Sequence, residues 1–157
     1  MKRVVAALTL GLVAALCGVV SPASATNIGN EGCTPGYWKN HTDSWEEARP
    51  DGYFSDKFSA GTSGVLNGKT LLAALDGGGG PGVAGAELIL ARAATAAYLN
   101  AANEGLGYPW RRTSEGLDGR PPLVPTVKAA LASKDRATIL ALATRLDNDN
   151  NLGCPLS

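Results

Sequence analysis

The side chains best suited to acid–base or nucleophilic chemistry lie between residues 41 and 51. His41 is the only histidine in the chain, and a histidine placed beside a serine and an aspartate is the base that activates many nucleophiles. The chain has no Gly-x-Ser-x-Gly turn to present such a serine. We therefore expect His41 to be structural, satisfied by a turn or by its tryptophan neighbours.

Pairs of carboxylates offer a second kind of catalysis. Glu46 with Glu47, or Asp43 with Asp51, could flank a sugar in a cleft lined by tryptophan, as the two carboxylates of a glycosidase do. Acidic residues in a short helix followed by a turn more often form a solvated face. A small cell-wall or polysaccharide-active hydrolase that uses Glu46, Glu47 or His41 therefore remains an alternative hypothesis.

The segment from Asp147 to Gly153 has carboxylate and amide oxygens at the first, third and fifth positions of a calcium loop. Its glycine comes one position too late, and the twelfth position, normally a glutamate, lies beyond the last residue. We expect a helix end followed by an asparagine-rich turn, with irregular calcium binding left open. No metal site and no cofactor are predicted.

Aromatic rings are concentrated in the first third of the mature chain. Tryptophan and tyrosine rings stack on sugars and fill pockets of protein partners, so exposed rings would form a binding face. The alternative is that they pack in the core of a glycine-rich lobe with few aliphatic residues. Charged neighbours place Trp45 and Trp110 near water, whereas Trp38 is expected in the core. The candidate binding residues are Trp38, Trp45, Tyr53, Trp110 and His41.

The N-terminus has the pattern of an export signal. A positive start, Met1-Lys2-Arg3, precedes an apolar run over residues 4–20 and a small-x-small cleavage pattern that ends at Ala25. The sequence therefore predicts a signal peptide at residues 1–25 and a secreted domain at residues 26–157 that starts at Thr26. No membrane span is expected after cleavage, and Cys17 leaves with the signal.

The two remaining cysteines, Cys33 and Cys154, bracket the secreted domain. An even pair in an oxidising compartment predicts one disulfide, because two cysteines without paired spacing or further histidines make a poor zinc site. Closing a loop of about 122 residues stabilises the fold by about 4 to 5 kcal/mol in the chain-entropy model. We expect this bond to join the two ends of the domain.

Size and charge limit the function further. The mature chain of about 130 residues has the length of one domain. The whole chain has 14 basic and 14 acidic residues, and loss of Lys2 and Arg3 leaves the secreted part slightly acidic. Apart from Arg111-Arg112 its basic residues are scattered singly, so nucleic acid is not an expected partner.

Helical periodicity dominates the second part of the chain. Apolar stripes predict a buried central helix over residues 87–103, stopped at Gly105, and a later helix that starts at Ser133 and Asp135. Shorter helices are predicted over residues 70–75 and 125–132, with a capped turn over residues 44–48. The fold class is mainly α: a single-domain bundle of about four to five helices (residues 61–157) with an irregular, aromatic-rich N-terminal lobe (residues 26–60).

Two motifs allow a comparison with known sequences. The run Cys33-Thr-Pro-Gly-Tyr-Trp-Lys-Asn-His41 and the closing Asn150-Asn-Leu-Gly-Cys-Pro-Leu156 resemble those of secreted microbial proteins marked by a CTPGYWKNH-type motif. The resemblance covers most of the mature chain and implies secretion and one compact module. It implies no activity, catalytic residue or cofactor.

Taken together, these patterns predict a secreted, non-catalytic interaction module, extracellular or associated with the cell surface. Its expected partner is an extracellular glycan or protein. The alternative is the small hydrolase described above, and the position of the carboxylates relative to any concave pocket distinguishes the two.

Overall fold

The computed structural model describes residues 30–59 and 64–156. The predicted signal peptide, residues 1–25, lies outside the described residues. Within them the chain forms isolated β-bridges but no strand, and the predicted mainly helical class is confirmed. The helices are α1 (Pro35–Asn40), α2 (Phe54–Phe58), α3 (Leu71–Leu75), α4 (Gly82–Ala102), α5 (Leu123–Ser133) and α6 (Arg136–Asn150).

The central helix α4 begins five residues before its predicted start and is buried on most sides. It is long and apolar enough to cross a membrane by length and composition, but 67% of its most apolar window is buried in the protein. Its many alanines let α1, α3, α5 and α6 pack closely around it. Helix α4 is therefore the core element of this fold.

The predicted glycine stop of α4 is wrong in its mechanism. Asn103 ends the helix in extended backbone conformation, and its Oδ1 accepts a hydrogen bond of 3.0 Å from the backbone N–H of Gly105. The asparagine side chain therefore closes the turn, so Gly105 does not adopt a left-handed conformation. Leu106 nevertheless folds back into the core as expected.

Helix α6 follows its sequence signals closely. The Asp135 carboxylate caps it by accepting hydrogen bonds from the backbone N–H (2.8 Å) and hydroxyl (2.6 Å) of Thr138, which lowers the pKa of Asp135. The predicted apolar face is buried against α4. That face consists of Ile139, Leu142, Ala143 and Leu146.

The N-terminal lobe contains two short helices that the sequence did not predict, α1 and α2. Thr34 caps α1 by accepting from the N–H of Tyr37 at 3.1 Å. The capped turn predicted over residues 44–48 is wrong: the helical turn lies at Thr42–Ser44, and Glu47 has a left-handed φ of 54°. Aromatic packing dominates α2, where Phe54 stacks on Phe58 with 4.5 Å between ring centroids.

The two ends of the domain are joined as predicted. Cys33 and Cys154 form a disulfide with 4.5 Å between their Cα atoms. Beside it, the N–H of Gly32 donates to the carbonyl of Gly153 at 2.9 Å. A β-carbon at Gly32 would overlap the backbone carbonyl oxygen of Asp149, so only glycine permits this approach of the N-terminus to α6.

Candidate functional site

Among the residues that the structure describes, the buried side chain with the most hydrogen bonds is structural. The Asn100 side chain on α4 accepts hydrogen bonds from the N–H of Cys33 (2.8 Å) and from Nε1 of Trp38 (2.9 Å). It donates to the carbonyl of Cys33 (2.9 Å) and to Oδ1 of Asn150 (3.0 Å). Asn100 therefore ties residues 33–41, which we call the opening motif, to both the central helix and the last helix.

Asn150 extends this network to Tyr108. Its Oδ1 also accepts from the Tyr108 hydroxyl at 2.7 Å, and its Nδ2 donates to the carbonyl of Ala93 at 3.0 Å. Burial raises the pKa of Tyr108 well above its usual range, so the phenol stays a neutral donor. These groups satisfy one another and leave nothing directed at a ligand.

Asp149 stabilises the end of α6 and is not free to bind calcium. Its carboxylate accepts from Nε1 of Trp110 at 2.7 Å and from the Arg120 guanidinium at 3.1 Å on each oxygen. Residues 147–150 lie within α6, so they do not wrap around an ion as a calcium loop does. The preferred interpretation, a helix end followed by a turn, matches the structure.

Two of the candidate binding residues, Trp38 and Trp110, are 0% exposed. For Trp110 this corrects the expectation that charged neighbours keep it near water. Its indole points inward to Asp149, and the Arg145 guanidinium covers the ring at 4.9 Å from its centroid. The neighbouring Arg112 instead pairs with Glu47. No ligand can stack on either buried tryptophan.

The other aromatic candidates are accessible to different degrees. Tyr53 is 51% exposed, whereas Trp45 is half-buried and donates its indole N–H to the carbonyl of Trp38 at 2.9 Å. His41 is exposed and stacks on Tyr37, with 4.2 Å between ring centroids. Its Nδ1 lies 2.8 Å from the carbonyl oxygen of Tyr37, so its structural partner is that tyrosine and not a tryptophan.

The candidate catalytic carboxylates are held apart by separate partners. Glu46 accepts from Nδ2 of Asn103 (3.0 Å) and from the N–H of Glu104 (3.4 Å). Glu47 pairs with Arg112, and the hydrogen bond and charge of that arginine lower the pKa of Glu47. A glycosidase acid needs a raised pKa at neutral pH. The observed environment instead favours an ionised Glu47 at neutral pH.

Arg112, with Glu47 paired to it, instead lies at a polar concavity on this side of the protein. We call it the Tyr98 groove. It has a volume of about 410 Å³ and is lined by Asp56, Lys57, Tyr98, Arg112, Thr113 and Val124. A second depression of about 440 Å³ shares Asp56 and Lys57 with it and is also lined by Glu47. A third, of about 270 Å³, is lined by both Glu47 and Arg112.

The two cations of the Tyr98 groove are held by specific contacts. Lys57 Nζ and Arg112 Cζ lie 5.5 and 5.6 Å from the centroid of the Tyr98 ring, close enough for cation–π attraction. Lys57 also donates to the carbonyl of Glu47 at 3.2 Å. The left-handed backbone of Glu47 thus presents its carbonyl to one cation and its carboxylate to the other.

The sequence contained only part of this site. It singled out Glu47 and the pair Arg111-Arg112, but not Lys57 or Tyr98, and nothing local brings residues 47 and 112 together.

No protein-family model, curated protein or solved structure matches this chain. Among residues 30–59 and 64–156, no group of three or more His, Cys, Asp or Glu side chains could hold a metal ion. The Tyr98 groove is therefore judged on its own geometry.

Proposed function

We propose that this chain is a secreted, non-catalytic binding module whose Tyr98 groove binds an extracellular glycan. The observation that carries the proposal is the groove itself, in which two cations are fixed over one aromatic ring and a carboxylate borders them. The disulfide is compatible with an extracellular protein, and the export signal predicted at residues 1–25 supports secretion.

The chemistry of the groove favours a sugar. Carboxylates only accept hydrogen bonds and the two cations only donate them, so together they can satisfy hydroxyl groups that do both. Asp56, Lys57 and Arg112 supply these groups within one concavity. Tyr53, next to Gly52 in the depression that shares Asp56 and Lys57 with the groove, offers an exposed aromatic face on which a sugar ring can stack.

Hydrolysis has less support than binding. Glu46 and Glu47 have different partners, and the lowered pKa of Glu47 opposes a role as general acid at neutral pH. The His41 ring stacks on the Tyr37 ring, and its Nδ1 lies within hydrogen-bond distance of the Tyr37 carbonyl oxygen. A protein partner is the alternative occupant of the groove, and a wild-type protein that binds nothing on a glycan array would favour it.

A glycan array probed with the purified mature protein tests the proposal. Arg112→Gln and Lys57→Gln should each abolish or strongly weaken the glycan signal, and Tyr53→Ala should weaken it. Lys39→Gln is the matched control, since Lys39 is exposed on α1 and pairs with Asp76 outside the groove. Binding that survives both groove variants would contradict the proposal, as would hydrolysis products that disappear in Glu47→Gln.

A further inference from the structure

A second concavity lies between α4 and α6 and is separate from the Tyr98 groove. It has a volume of about 200 Å³. Ile89 and Arg92 from α4, spaced one helical turn apart, face Thr144 and Asp147 from α6. Because these helices pack along their length, the pocket lies between two rigid elements and not on a loop.

Two opposite charges line this pocket without neutralising each other. Arg92 and Asp147 are both exposed. Neither side chain makes an ion pair or hydrogen bond with any residue in the part of the chain that the structure describes. By contrast, Arg112 of the Tyr98 groove pairs with Glu47, and Lys57 donates to the backbone carbonyl of Glu47. The pocket therefore offers one free cation and one free anion to a ligand.

The floor of the pocket is apolar. Ala93 and Ala143 are almost fully buried and form its floor. The glycine-rich run before α4 forms one wall at Gly79, where a β-carbon would come within 3.1 Å of Cδ1 of Ile89. Glycine at this position thus lets the backbone approach the isoleucine.

The dimensions and charges match a small zwitterion. Pockets for drug-sized ligands have volumes of about 300 to 1,000 Å³, so this smaller pocket suits a correspondingly small molecule. The planar guanidinium of Arg92 can bind a carboxylate in bidentate fashion, and Asp147 can accept from an ammonium group. Since both charged groups of an α-amino acid are attached to one carbon, its side chain extends away from them, and the alanine floor with Ile89 suits a small apolar side chain.

We infer that the pocket between α4 and α6 is a binding site for a free α-amino acid with a small apolar side chain. Arg92 binds the carboxylate and Asp147 binds the ammonium group. The Thr144 hydroxyl provides a further hydrogen bond to either group. This site does not depend on the proposed glycan groove, since the two share no lining residue.

Chemical-shift mapping by NMR, with the folded, oxidised protein and millimolar alanine, tests the inference. Alanine should shift the amide signals of Arg92, Thr144 and Asp147. Alanine amide, which has no carboxylate, and N-acetylalanine, which has no ammonium, should each bind about tenfold more weakly, because each loses a charged hydrogen bond.

Matched variants assign the two charges. Arg92→Gln should weaken alanine binding about tenfold and remove the preference for alanine over its amide. Asp147→Asn should remove the preference for alanine over N-acetylalanine. Both side chains are exposed, so the fold should be retained, and Lys128→Gln on α5 should bind alanine normally. Absence of shifts at the pocket, or equal affinity for all three compounds, would overturn the inference. Arg112→Gln should leave alanine binding unchanged, which separates this site from the glycan groove.

Discussion

Replacing Asn100 by alanine should be among the most destabilising single changes in this protein. The side chain is 0% exposed and makes four hydrogen bonds, with Cys33, Trp38 and Asn150. Alanine retains the helix but removes every one of these bonds. It also leaves the N–H and carbonyl of Cys33 and the indole N–H of Trp38 buried without those partners.

The expected cost follows from the number of bonds. A hydrogen bond contributes about 0.5 to 1.5 kcal/mol net, so four of them give about 4 kcal/mol. A domain has a free energy of unfolding of about 5 to 15 kcal/mol, so the loss is a large part of the total. With a urea m-value of about 2 kcal/mol/M, the unfolding midpoint should fall by about 2 M.

Urea unfolding of the oxidised protein, followed by far-UV circular dichroism, measures this cost. The matched control is Asn40→Ala, because Asn40 is exposed and its side chain makes a single bond, to the carbonyl of Gly36 at 2.9 Å. Its cost should stay below about 1 kcal/mol. Hydrogen exchange of the Trp38 indole N–H should also accelerate in Asn100→Ala alone. If the two alanine variants lower the midpoint equally, the buried network does not carry the stability assigned to it.

Three further outcomes are expected. Replacing both Cys33 and Cys154 by serine should lower the free energy of unfolding in urea by about 5 kcal/mol, because the disulfide joins residues with a sequence separation of 121. Equal urea midpoints for the wild-type protein and the double variant would contradict this. Trp110→Ala should cost about 3 to 5 kcal/mol and the half-buried Trp45→Ala clearly less, so equal costs in thermal unfolding would refute the burial argument. Burial raises the pKa of Tyr108 in the folded protein. Its contribution to the free energy of unfolding is therefore complete below the pKa of an unfolded tyrosine, about 10, and is lost as the pH rises toward the pKa of the folded state. Urea midpoints should therefore fall above pH of about 10, and Tyr108→Phe should flatten that fall; an unchanged slope in the variant would count against it.

The parts of the fold that the sequence predicted are those with local causes. The N-cap Asp135 and the apolar face of α6 depend on residues within a few turns of one another, and both are observed. The short helix predicted over residues 70–75 is also observed, as α3, and Thr70 caps it by accepting from the N–H of Ala73 at 3.1 Å. The disulfide was predicted by elimination, since removal of the predicted signal would leave one pair.

The parts that it missed have tertiary causes. Helices α1 and α2 have six and five residues, too few for a periodic pattern, and packing against the core stabilises them. The direction of the Trp110 ring depends on Asp149, 39 residues away, so its charged neighbours in sequence were misleading. Asn100 did leave a signal: it is an amide in an alanine-rich helix predicted to be buried, where a polar group needs partners.

The candidate site shows the same division. Glu47 and Arg112 were each noted, but 65 residues separate them, and only the packing of the N-terminal lobe against α4 brings them together. Lys57 had no distinguishing context in the sequence. Its position over Tyr98 follows from α2, a helix that was not predicted.

The structure separates the residues that maintain the fold from those available to a ligand. The most buried members of the opening motif, Cys33 and Trp38, are committed to the disulfide and to Asn100. Their replacement should therefore reduce stability first, and any loss of binding should follow from unfolding. Arg112 and Lys57 lie outside that motif and contribute little to the core. Variants of these two cations should change binding while the unfolding midpoint stays nearly constant, so stability and recognition can be measured independently in this chain.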